Sequence, residues 1–246
     1  MECFLTSSPS GCPFDPGPAV PVLDEANDLG VRLRAAWPAT PPRGLLLTAF
    51  PENDAVNAQM RDSFVQCLAN AGLPLAGMAV CSARNAADFP ALLAQSGFVM
   101  LGGGHVPTQN RFFAALGAAE ALRGFDGVLL GISAGTMNAA RLVYAQPEEP
   151  GEAADSAFAR WLPGLGLTET CVLPHFEKTR DWAVDGLRLV EDIALPDSRV
   201  HPLYALPDGS YLHIAGGRET LYGEAWRLAG GRMEKVCENG GRLPLR

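Results

Sequence analysis

Apolar positions along the chain fall into two alternating textures. Runs in which nearly every position is apolar, such as Gly44-Leu-Leu-Leu-Thr-Ala-Phe50 and Phe98-Val-Met-Leu101, predict strands buried on both faces. Between them, Val56, Met60, Phe64, Cys67 and Leu68 recur at helical spacing, which predicts a helix over 53–72 with Gly72 as its stop. The same alternation predicts strands at 3–6, 75–81, 98–101 and 127–130. It predicts helices at 86–94, at 108–123 capped by Thr108, and at 136–144. Strands separated by helices in this rhythm define an α/β fold: a doubly wound, mostly parallel sheet with helices on both faces.

The second half has a different texture. A short strand is expected at 171–173 and a helix at 182–193. From 203 onward the turns Pro207-Asp-Gly209, Gly216-Gly217 and Gly230-Gly231 punctuate short alternating runs. These predict C-terminal antiparallel hairpins over 203–245 that extend the sheet or pack beside it. Residues 7–18 and 38–42 are breaker-rich loops. No internal repeat or composition shift marks a boundary, so 1–246 is expected to form one domain.

Composition narrows the class. The 246 residues are 48% hydrophobic, ample for a sizeable core, and 19 Lys plus Arg against 27 Asp plus Glu give a net charge of −8. The cations are scattered and begin only at Arg32, so no basic face for nucleic acid is expected. No apolar run approaches the ~18 residues of a membrane span, and no basic n-region precedes one. The six cysteines form no CxxC pair, which predicts reduced thiols in a cytoplasmic protein, with no metal and no cofactor.

The stretch with most chemistry is Gly127-Val-Leu-Leu-Gly-Ile-Ser-Ala-Gly-Thr-Met-Asn138. It places Gly131-Ile-Ser133-Ala-Gly135 between a buried strand and a helix. A serine on such a turn projects its hydroxyl from the end of the sheet, and small neighbours avoid a clash. The N–H of Ala134 then faces any developing oxyanion. Serine needs a base, and four histidines are available. His105 and His175 follow strands, whereas His213 lies within one and His201 lies near the C-terminal hairpins. The imidazole needs an orienting acid, for which Glu148, Glu149, Glu177 and Asp181 are candidates by position. Gly102-Gly103-Gly104 matches no phosphate-binding motif, and its N–H groups are better placed as oxyanion donors.

Taken in order, the triple glycine, Gly131-Ile-Ser-Ala-Gly135, Leu173-Pro-His-Phe176 and Ala205-Leu-Pro-Asp-Gly209 resemble the peptidase E (aspartyl dipeptidase) family of serine peptidases, to which cyanophycinase is related. The resemblance runs through most of the chain. It implies a fold similar to class I glutamine amidotransferases, no metal, and a Ser–His–acid triad. On this resemblance Ser133 is the nucleophile, His175 the base and Glu148 the acid, with Glu149 one residue away. Gly104 and Ala134 are the implied oxyanion donors.

The chain also departs from the family. His105 replaces an Asn after the triple glycine, as in a divergent subgroup. The arginine that reads an N-terminal aspartate has Arg188 as its nearest counterpart and Arg180 as a more distant one. The expected function is a serine peptidase acting on a small peptide or amide. The rivals are an esterase with the same triad and a non-catalytic binding protein on the same fold.

Overall fold

The computed structural model describes residues 1–9 and 22–246, so most of the loop expected at 7–18 lies outside the described residues. The first half contains strands β1 (Glu2–Thr6), β2 (Arg43–Leu47), β3 (Gly77–Cys81), β4 (Phe98–Leu101) and β5 (Val128–Ile132). They pair in the order β3-β2-β4-β5-β1, all parallel. The helices between them are α1 (Leu29–Ala36), α2 (Asp54–Asn70), α3 (Phe89–Ala94), α4 (Val106–Leu116), α5 (Ala118–Leu122) and α6 (Ala134–Ala139).

Period-two alternation explains the fully apolar runs. Leu45, Leu47, Val99, Leu101 and Leu129 point to one face and pack with Phe89, Phe112, Phe113 and Leu122 of α3 to α5. Leu46, Phe98, Met100, Val128 and Leu130 point to the other, against Leu29, Leu33, Phe64 and Leu68 of α1 and α2. With helices on both sides, neither strand face can be polar. The expected α/β fold with a mostly parallel sheet is therefore observed.

Later strands are β6 (Leu142–Tyr144), β7 (Trp161–Pro163), β8 (Cys171–Leu173), β9 (Ala183–Val184), β10 (Leu187–Arg188) and β11 (Leu203–Ala205). They continue as β12 (Tyr211–Ala215), β13 (Arg218–Tyr222), β14 (Ala225–Ala229), β15 (Arg232–Cys237) and β16 (Arg242–Pro244). The C-terminal hairpins do both things expected of them. Strands β12, β13 and β16 extend the main sheet antiparallel beyond β1, while β15-β14-β11-β8 form a second, four-stranded sheet. Within that sheet β8 and β11 are parallel, Leu173 opposite Ala205.

Three expected helices differ. The one assigned to 108–123 begins at Val106 and breaks at Gly117, whose φ of 65° is left-handed. The helix expected at 136–144 starts at Ala134 and ends at Ala139, and its tail becomes strand β6. The segment 182–193 is not one helix. Asp185 and Gly186, both at positive φ, turn β9 into β10 before a π-helical turn over Leu189–Ala194. A local Asp-Gly turn signal outweighed the apolar spacing. Asp185 accepts hydrogen bonds from the N–H groups of Gly151 and Ala153, tying the hairpin to the loop after β6.

No helix among the described residues is long and apolar enough to cross a membrane. The five described cysteines are free and buried, and burial pushes the Cys3 and Cys171 thiols up to about 12.

Candidate active site

The carboxyl ends of parallel strands are where α/β sheets gather functional groups. Here β1, β4 and β5 end together, with Thr6 opposite Ile132 and Leu101 opposite Gly131. Ser133 follows β5 with φ 48° and ψ −112°, a strained setting for a side chain bearing a Cβ. Its N–H donates to both Thr6 O (3.1 Å) and Ser7 O (3.2 Å). Thr136 Oγ1 donates to Thr6 O and Thr6 Oγ1 to Gly131 O, each at 2.8 Å, so the end of β1 clamps the turn on both sides. Gly135 is obligatory: a Cβ there would sit 2.3 Å from Leu101 O.

The triple glycine lies beside this turn, since a Cβ on Gly103 would meet Ser133 Cβ at 3.5 Å. Gly104 has φ 150°, and a Cβ on it would collide with Ala49 at 2.6 Å. Among the described residues, the N–H groups of Gly104 and Ala134 have no protein acceptor. Two donors beside a serine are the chemical requirement for holding an oxyanion.

His175 arrives from the second sheet. Leu206 N–H donates to Leu173 O (2.9 Å) and Phe176 N–H to Leu206 O (3.1 Å), extending the β8–β11 pairing past its end. That carries residues 175 and 208 out side by side. His175 Nδ1 lies 2.7 Å from Asp208 Oδ1. Because a carboxylate only accepts, Nδ1 carries the proton and Nε2 keeps its lone pair. Among the described residues Nε2 has no hydrogen-bond partner, and none joins Ser133 Oγ to His175.

Ser7 ties the two sheets together. Its Oγ accepts from His175 N–H (2.7 Å) and donates to Asp208 Oδ1 (2.8 Å), while its carbonyl holds Ser133. Lys178 Nζ donates to Asp208 Oδ2 (3.0 Å), and Asp208 N–H donates to Glu177 Oε2 (3.0 Å). Burial opposes the charge on Asp208. The hydrogen bond from His175 outweighs it, with help from Lys178 and Ser7, and holds this carboxyl well below the usual range.

The acid on the imidazole is thus Asp208, where Glu148 was expected. Glu148 Oε1 instead accepts from Gln146 Nε2 (3.0 Å), and burial raises its pKa despite that bond. Gln146 Oε1 is buried with no hydrogen-bond partner among the described residues. Glu149 is exposed, and Glu177 touches the backbone of Asp208 instead of the imidazole. Asp208 occupies the Pro207-Asp-Gly209 turn, closed by Ser210 N–H on Pro207 O (3.1 Å). The turn reading was correct and concealed the acid. Ser7, at the end of the first strand, carried no motif at all.

His105 forms a second pair. Its Nε2 lies 2.9 Å from Glu152 Oε1 and its Nδ1 2.8 Å from Thr108 Oγ1. Glu152 also accepts from the N–H groups of Glu148 and Glu149; burial opposes its charge, but these bonds and His105 win and lower its pKa. The loop after β6 is therefore organised around Glu152. Arg188 does not face this site as a free cation: Asp192 holds its Nε (3.1 Å) and Nη2 (3.0 Å). Arg180 lies over the Trp226 ring at 5.6 Å, in a cavity of about 560 Å³ behind Asp208.

Among the described residues, two sets could bring three metal-ligand atoms within 4.8 Å of one another, His105/Glu149/Glu152 and His175/Glu177/Asp208. In each, the histidine is already hydrogen-bonded to one of the carboxylates, so an ion would have to displace that bond.

No family model and no curated protein matches the sequence. The fold does match solved structures over nearly its full length. A peptidase from an acI-B1 Actinobacterium aligns with a TM-score of 0.64 at 18% identity, covering 99% of this chain and 96% of the other. A candidate peptidase E protein from Listeria monocytogenes EGD-e aligns with a TM-score of 0.56 at 13% identity, covering 96% and 98%. The chain thus shares a peptidase E-like fold, as its motifs led us to expect.

Proposed function

We propose that this protein is a serine hydrolase that cleaves a peptide or related amide bond in a small substrate. The observation that carries the reading is His175: one ring nitrogen is fixed by Asp208, the other has no partner among the described residues, and Ser7 joins its backbone to that of Ser133 on the strained turn. Ser133 Oγ attacks the carbonyl and His175 Nε2 takes its proton. Asp208 holds the imidazole and balances the imidazolium charge, and the N–H groups of Gly104 and Ala134 receive the oxyanion. His175 then protonates the leaving amine, and water reverses the sequence to release the acid. The fold shared with peptidases supports the amide-hydrolase class over other serine chemistry.

The missing Ser133–His175 hydrogen bond favours a second reading, a binding protein on the same fold. Catalytic hydrogen bonds are often loose before substrate arrives, so chemistry must decide. A fluorophosphonate probe should modify Ser133 and leave Ser133→Ala unlabelled. Hydrolysis within a panel of dipeptides, blocked peptides and esters should then fall by a factor on the order of 10⁶ in Ser133→Ala. An inert Ser133 would support the binding protein, and activity confined to esters would support an esterase.

A further inference from the structure

Behind the triple glycine lies a set of buried amides that the proposed chemistry does not use. Gln109 on α4 and Asn138 on α6 are each 0% exposed. Gln109 Nε2 donates to Gly102 O at 2.7 Å, and its Oε1 accepts from Asn138 Nδ2 at 3.0 Å. Asn138 Nδ2 also reaches Val106 O at 3.2 Å. Asn110 Nδ2 donates to Asn138 Oδ1 and to Pro163 O, both at 2.9 Å. A core that needed only to be filled would use apolar side chains here, because each buried amide must find partners or destabilise the fold. These amides find theirs on particular backbone atoms: the first carbonyl of the glycine turn and the first carbonyl of the helix after it.

We propose that Gln109 and Asn138, braced by Asn110, are positioning residues that lock the helix following Ser133 to the glycine turn. This rests on the serine-hydrolase reading given above. Ala134 N–H belongs to α6 and Gly104 N–H to the turn, so the two oxyanion donors sit on separate elements. The β4–β5 pairing brings those elements together, and their final spacing beyond the strand ends is set by what joins them there. Packing between α4 and α6 is non-directional and tolerates sliding, whereas hydrogen bonds through Asn138 and Gln109 fix one register. The Gly102 carbonyl also sets the plane of the peptide entering Gly103. Without that bond three successive glycines have no side chain to restrain them. Such a network acts on the charged intermediate and leaves ground-state binding nearly untouched.

The test compares Gln109→Met, which keeps the shape and removes the bond to Gly102, with Asn110→Ala. Asn110 borders a cavity of about 320 Å³ also lined by Phe113 and Leu165, so shortening it opens existing space. Losing one oxyanion donor outright costs about 10²–10³ in turnover. Misaligning the donors through Gln109→Met should lower kcat by about 10- to 100-fold with KM within about threefold. The rate of Ser133 phosphonylation should fall in parallel, because that adduct also places an oxygen between the donors. Asn110→Ala should show the same split, reduced to about 3- to 10-fold.

Circular dichroism and thermal unfolding establish that each variant is folded, and kcat is taken per folded molecule. Wild-type kcat in folded Gln109→Met, or a change confined to KM, would overturn the proposal. If Gln109→Met does not fold, wild-type kcat and labelling in Asn110→Ala would overturn it. Failure of the wild-type protein itself to be labelled or to turn over would instead overturn the hydrolase reading.

Discussion

Two histidine–carboxylate pairs flank the serine turn, and at first sight they are equivalent. His175 meets Asp208 at 2.7 Å and His105 meets Glu152 at 2.9 Å. Their other nitrogens separate them. The carboxylate of Glu152 fixes the proton of His105 on Nε2, so Nδ1 is the remaining lone pair, and the Thr108 hydroxyl already occupies it. In His175 the fixed proton is on Nδ1, leaving Nε2 uncommitted. Only the second arrangement leaves a lone pair free to accept a proton from a serine. The lesson is that proximity of a histidine to a nucleophile says little until both ring nitrogens are accounted for.

The comparison can be broken most forcefully by exchanging each imidazole for an amide. His175→Gln should reduce kcat by a factor on the order of 10⁶ on a substrate the parent cleaves. His105→Gln retains partners for its amide and should cost less than about tenfold, since it removes no reacting group. Equal losses in steady-state kinetics would mean that His105 shares the proton transfer.

A smaller effect separates the carboxylates by stability. Asp208 and Glu152 are held below the usual range, so each adds stability that is complete above about pH 4 and is lost as pH falls below it. Glu148 is shifted the other way by burial, and its charge weighs against folding at neutral pH. Glu148→Gln should therefore raise the melting temperature at pH 7 by a few degrees. The gain should shrink as pH falls through the raised value and vanish below about pH 4.3, the ordinary Glu value. Thermal unfolding at pH 7 and pH 4 reads this directly, and a destabilised variant at pH 7 would show that the Glu148 carboxylate has a favourable partner.

Why the sequence revealed so much of the fold is clear from β2, β4 and β5. Their continuous apolar runs admit no environment but a doubly covered sheet, and Gly131 to Gly135 can be only a tight turn between strand and helix. Segment 182–193 misled because its apolar spacing suits a helix while Asp185-Gly186 dictates a hairpin; tertiary bonds from Asp185 to the 151–154 backbone favour the second. Of the candidate site, Ser133, Gly104, Ala134 and His175 could be singled out from the sequence, each by a local motif. Asp208, inside a quoted motif, was read only as a turn residue and Ser7 as the start of a loop, because their contacts arise from the parallel pairing of β8 with β11 and from the meeting of the two sheets. The β8–β11 pairing sets residues 33 positions apart side by side, and the Ser7–His175 bond between the two sheets spans 168; no local pattern records either.

The choice of acid is the point on which the site's chemistry turns. Steady-state kinetics of Asp208→Asn and Glu148→Gln, with rates of Ser133 phosphonylation for both, test it most directly. If Asp208 fixes the His175 tautomer, Asp208→Asn should lower kcat by a factor on the order of 10⁴, and Glu148→Gln by less than about tenfold. Near-parental turnover in Asp208→Asn with collapse in Glu148→Gln would contradict the assignment and return the role of acid to Glu148.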